Sequence, residues 1–79
     1  MQKSLSSSKQ KAFLELLRQV REEAGLRQID VADRLDRPQS FVSKYESGER
    51  RLDLLELELV CDACDTDLSK FVRRYLAQV

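Results

Sequence analysis

Between Gln28 and Gly48 the apolar positions fall into two short helical registers separated by a polar corner. Val31, Ala32 and Leu35 share one face, Asp36, Arg37 and Pro38 supply turn chemistry, and Val42 and Tyr45 make a second inward face. A small residue at Ala32 lets the two predicted helices approach closely where they cross. Gln39, Ser40, Ser43 and Lys44 are left on the outward side of the second helix, and all four are of types that can address base edges in a nucleic-acid groove. The spacing predicts a helix-turn-helix.

The same period organises the rest of the chain. Phe13, Leu14, Leu17, Val20, Arg21 and Ala24 describe a first helix, with Ser7 and Gln10 matching a capping box at its start and Gly25 suited to its C′ position. The motif helices are expected at 28–35 and 39–46, with Pro38 preset for a helix start and Gly48 closing the second. A fourth helix is expected from Leu52 or Asp53 to Cys64, and a fifth from Asp67 or Leu68 to Ala77, with Asp67 as its cap. Only two Gly and one Pro interrupt this pattern, which predicts an all-α, compact five-helix bundle. Residues 1–7 are Ser-rich and expected to be a flexible N-terminal segment, with residues 8–79 forming a single domain.

The 79 residues carry 14 Lys and Arg against 14 Asp and Glu, and a formal charge of zero argues against indiscriminate coating of nucleic acid. The sum conceals a split. Residues 1–51 hold 11 basic and 8 acidic side chains, whereas residues 52–79 hold 3 and 6, so the outward polar set lies on the basic part. Cys61 and Cys64 form a CxxC, a spacing used by metal and redox sites. A structural zinc needs about four ligands, and with no His and no further Cys neither a metal nor another cofactor is expected. At i and i+3 the thiols instead extend the stripe of Leu54 and Leu57, as small core hydrophobes, and two free thiols suit a reducing compartment. No apolar run approaches about 18 residues and no secretory segment opens the chain, so a cytoplasmic protein without membrane attachment is expected. No nucleophile and base pair can be assembled either, so the chain is not expected to be an enzyme.

Residues 17–71 resemble the phage repressor and Cro-like helix-turn-helix family, the xenobiotic-response-element type with a lambda-repressor-like DNA-binding domain. The resemblance rests on Leu17, Val20, Arg21, Gly25, Leu26 and Gln28, then Ala32, Leu35, Val42, Glu46 and Gly48, then Leu54, Leu57, Leu68 and Phe71. It implies a bacterial or phage-encoded transcriptional regulator, a repressor, that reads double-stranded operator DNA through the third helix in the major groove. Base contacts are then expected from Gln39, Ser40, Ser43 and Lys44, although Lys44 suits a phosphate equally well. Gln28 is expected to meet a phosphate at the anion-favouring start of the second helix, and Arg37, Arg50 and Arg51 are expected to clamp the backbone. Arg21 and Glu46 correspond to a partly buried ion pair tying the first helix to the end of the reading helix. Phe41 is expected to pack beside the fourth helix, and Arg34 to be solvated.

Two positions depart from the family pattern. Asp36 stands where the tight turn usually has Gly, which implies slight strain in left-handed backbone space. Arg27 stands where a Thr or Ser usually caps the second helix, and because an arginine cannot accept a backbone N–H bond, that helix start is expected to fray.

Helices 4 and 5 hold more apolar positions than one small core uses. Leu55, Leu59 and Ala63 make a second stripe on helix 4, and Val72, Tyr75, Leu76 and Val79 extend helix 5 beyond Leu68 and Phe71. The expected outcome is a homodimer through Leu55, Leu59, Ala63, Val72, Tyr75 and Leu76; the alternative is that helix 5 folds back on Phe13 and Leu14 and covers this surface within a monomer. Similar small family members act as antitoxins or as restriction-modification controllers, so a toxin or other protein partner stays open. So does an adaptor role without DNA.

Overall fold

A computed structural model describes residues 8–78. The Ser7 cap, the segment 1–7 and the Val79 end of the apolar stripe lie outside the described residues. The chain forms α1 (Ser8–Glu23), α2 (Gln28–Leu35), α3 (Gln39–Ser47), α4 (Leu54–Ala63) and α5 (Leu68–Gln78). The five helices and the absence of strands among the described residues agree with the periodicity, because every element carries its apolar residues at helical spacing.

Three helices stop by the same backbone device. At the end of α1 the Leu26 N–H donates to Arg21 O (3.1 Å) and the Gly25 N–H to Glu22 O (2.9 Å), with Gly25 at φ 75°. At the end of α2, Arg37 N–H donates to Ala32 O (2.9 Å) and Asp36 N–H to Asp33 O (3.1 Å), while Asp36 takes φ 58° and ψ 45°. The expected left-handed turn at Asp36 is present. After α4 the pattern recurs at Asp65, with φ 60° and a bond from Thr66 N–H to Cys61 O (3.0 Å), a turn that carried no glycine signal in the sequence. Gly48 closes α3 at φ 87°, so the turn calls for glycine, and a Cβ there would lie 3.0 Å from Leu14 Cδ1, the end of a half-buried side chain.

The helix starts hold a correction. Arg27 does not leave the start of α2 loose: Asp30 reaches back, accepting the Arg27 N–H at 2.8 Å and gripping the guanidinium through Nε (3.0 Å) and Nη2 (2.8 Å). The carboxylate three residues into the helix supplies half of a capping box by itself. α4 has both halves, with Glu56 N–H donating to Asp53 Oδ1 (2.7 Å) and Asp53 N–H to Glu56 Oε1 (3.0 Å). Asp67 caps α5 as expected, accepting the Lys70 N–H at 2.8 Å.

The core gathers Leu16, Leu17 and Val20 of α1, Val31 and Ala32 of α2, Phe41, Val42 and Tyr45 of α3, Val60, Cys61, Ala63 and Cys64 of α4 and its cap, and Phe71 of α5. Each fully buried aliphatic side chain contributes about 1.5–3 kcal/mol relative to exposure. Both cysteines are core residues, and burial pushes their thiols up to about 11. α5 does fold back on α1: Phe13 meets Phe71 and Tyr75 edge-on, with ring centroids 5.9 and 6.4 Å apart.

Two apolar assignments on α4 are corrected. Leu54 is 65% exposed rather than part of the core stripe, since it is the first residue of the helix and neighbouring helices cover α4 only from Leu57 onward. Ala63, expected at a dimer interface, is buried in the monomer. It lies where α2 packs on α4, and its carbonyl accepts a bond from Arg34 Nη1 at 2.8 Å, with Asp65 Oδ1 at 3.2 Å on the same nitrogen. Arg34 is therefore a clasp between α2 and the end of α4 rather than only a solvated charge. No helix among the described residues is long and apolar enough to cross a membrane.

Candidate nucleic-acid interface

At about 100° of rotation per residue, Gln39, Ser40, Ser43, Lys44 and Ser47 occupy about 140° of α3, and all five are exposed. The opposite side is buried through Phe41, Val42 and Tyr45. Val42 and Tyr45 sit on α2, whose Ala32 is fully buried at the crossing, so the polar arc is carried on a rigid corner. The four sequence-expected base contacts thus lie on one solvent-facing arc.

A chain of polar contacts leads from the core to the first residue of that arc. Arg21 Nε and Nη2 donate to Glu46 Oε2 (2.7 Å) and Oε1 (3.0 Å), with side chains only 11% and 6% exposed. The third guanidinium nitrogen, Nη1, donates to Leu26 O at 3.0 Å. Glu46 Oε1 also accepts from Gln28 Nε2 at 3.1 Å, and Gln28 Oε1 accepts from Gln39 Nε2 at 3.5 Å. Gln28 therefore stands between the buried ion pair and Gln39, with one N–H of its amide left for a phosphate.

The cations expected on the backbone are arranged around Phe41. The guanidinium carbons of Arg37 and Arg50 each lie 4.7 Å from the Phe41 ring centre, while the ring itself is buried and edge-on to Tyr45. Arg50 is further held by Glu56, with Nη1 on Oε1 (3.1 Å) and Nη2 on Oε2 (2.9 Å). Among the described residues Arg37, Lys44 and Arg51 enter no ion pair, and all three are exposed. The role of Glu56 was not expected. The D-x-x-E pattern at Asp53 signals its capping function, but its grip on Arg50 joins two elements and has no local signature.

Of the apolar positions expected in a dimer, Leu55 (71%), Leu59 (58%), Leu76 (61%) and Val72 (39%) are exposed, and Leu54 joins them. Tyr75 is half-covered by Phe13, and Ala63 is excluded by burial.

Residues 12–71 match the model of a helix-turn-helix domain family. No curated protein matches the chain. Among solved structures, an XRE-family like protein from Pseudomonas syringae pv. tomato superposes with a TM-score of 0.87 and 40% identity, over 99% of this chain and 95% of that one. A mutant of a restriction-modification controller protein has the same fold, with a TM-score of 0.81 at 22% identity over 91% of each chain. The corner, the polar arc and these likenesses converge: the chain belongs to the XRE family of helix-turn-helix proteins.

Proposed function

We propose that the protein is a sequence-specific transcriptional regulator that binds operator DNA as a homodimer and represses by occluding the promoter. The observation that carries this reading is the α3 arc of Gln39, Ser40, Ser43 and Lys44, polar, fully outward and backed by a buried face. Gln39 pairs with adenine through its amide, with Gln28 fixing the amide's orientation, and Lys44 addresses guanine or a phosphate. Ser40 and Ser43 take the intervening edges. Gln28, Arg37, Arg50 and Arg51 contact phosphates and set the register of α3 in the groove. The exposed apolar surface of α4 and α5 pairs two copies, so that two reading helices address half-sites about 34 Å apart.

Selection from a random DNA pool tests the reading, followed by binding of Gln39→Ala to the selected and to mixed-sequence DNA. The substitution should cost about 1–3 kcal/mol on the selected site and little on mixed DNA. Equal losses on both would demote Gln39 to a backbone contact. Absence of salt-dependent binding by the wild type would favour a protein-interaction adaptor, because a phosphate binder loses affinity steeply with salt.

A further inference from the structure

Of the arginines expected on phosphates, only Arg50 is in an ion pair among the described residues. The geometry points to Glu56 as a specificity-determining residue that competes with DNA phosphates for Arg50, so that this arginine is surrendered only where α3 seats fully in its groove. The inference rests on the DNA-binding reading above.

The competition follows from shape. A guanidinium fork presents the same pair of donors to a carboxylate and to a phosphate, and here both prongs are taken, at 3.1 and 2.9 Å. Glu56 is anchored by a second task, since Oε1 also accepts the Asp53 N–H that starts α4. The Arg50 backbone is tied to the end of α3 through its N–H to Lys44 O at 3.1 Å. The Arg50 side chain lies over the Phe41 ring and is 38% exposed, and its Nη1 also donates to Arg51 O at 2.8 Å, so a phosphate must displace Glu56 from a guanidinium that keeps this backbone bond. The Arg50 hydrogen bonds, with that of the Asp53 N–H, hold the Glu56 carboxyl below the usual range, so the competitor is charged at neutral pH.

Binding to arbitrary DNA depends almost entirely on phosphate contacts, and each neutralised phosphate adds about 0.9 to the salt slope. A cation satisfied internally is withheld from that term. On the right sequence, base contacts bring α3 close enough for a phosphate to displace Glu56, and the withheld contact is recovered there alone.

The test is Glu56→Gln, which removes the charge while keeping an oxygen for the Asp53 N–H. Mixed-sequence DNA should bind about three- to tenfold more tightly near 0.1 M salt, with a slope steeper by about 0.9. The ratio of specific to mixed binding should fall, and adding Arg50→Ala should abolish the gain. Glu15→Gln is the charge-matched control, because it removes one of the two carboxylates that hold Arg18 on α1, the other being Glu22, and no DNA contact is proposed there. An equal gain in Glu15→Gln, or none in a Glu56→Gln protein of unchanged helix content, overturns the competition. A wild type without salt-dependent binding overturns instead the reading beneath it.

Discussion

Glu46 is where folding and recognition meet in one side chain. Its two oxygens take both Arg21 donors and the Gln28 amide, inside a site that is nearly closed to water. Removing one partner of such a pair leaves the other charge buried, at a typical cost of about 3–5 kcal/mol. Glu46→Ala should therefore lower the unfolding free energy obtained from urea titration by that amount, and should also free Gln28 and blur the placement of Gln39. A loss below about 1 kcal/mol would show that water reaches Arg21 and that the pair behaves as an exposed one. At this scale the sequence was partly legible. Arg21 and Glu46 stood out as charges in apolar registers, and the family resemblance paired them. The bond between Arg50 and Glu56 was not legible, because neither residue breaks its local pattern. Leu16 escaped as well, although it stands three residues after Phe13 and four before Val20, at the spacing of the α1 stripe, and it is fully buried.

At the scale of elements, the helix ends show how backbone needs are met by residues that do not look suited to them. Asp36 and Asp65 do at φ 58° and 60° what glycine does after α1, since a short polar side chain tolerates left-handed space. The start of α2 depends on Asp30, whose bonds from the Arg27 side chain and then the Arg27 N–H hold its carboxyl at about 2, below the ordinary 3.8. A folded value lower than the unfolded one gives stability that is present above about pH 4 and is lost as pH falls toward 2. Amide exchange or chemical shifts of residues 27–31 should accordingly report loosening of the α2 start between these pH values, in advance of global unfolding. Asp30→Asn should loosen that start already at neutral pH and flatten the acid response. An acid response unchanged by Asp30→Asn would assign it to another carboxylate. Arg27 offers no cap of its own, and the start of α2 is instead legible from the carboxylate three residues later, Asp30, which closes the box from the other end.

For the whole molecule the decisive feature is what the monomer leaves uncovered. α5 packs Phe71 and Tyr75 against Phe13 of α1, so part of the surplus apolar surface is absorbed within the chain. Leu54, Leu55, Leu59 and Leu76 are not absorbed, at 58–71% exposure, and they belong to the acidic part of the sequence. In the proposed dimer these exposed leucines supply the association surface. The periodicity located this surface on α4 and α5 but misassigned Ala63, because a residue one step round the helix from Leu59 falls under α2, and sequence spacing does not say where one neighbour ends and solvent begins. The contrast between these two residues gives the test. In the proposed dimer Leu59→Glu places like charges on either side of a two-fold contact, so that dimer should dissociate while the monomer, which leaves Leu59 exposed, retains its helix content. Ala63→Glu forces a charge into the core and should unfold the chain. Sedimentation equilibrium and circular dichroism on both variants separate the two effects. Operator binding by Leu59→Glu should also weaken, because two tethered half-site contacts become independent ones. A wild type that stays monomeric at high micromolar concentration would remove the dimer, and a Leu59→Glu protein that sediments as the wild type does would move the interface to Val72 and Leu76.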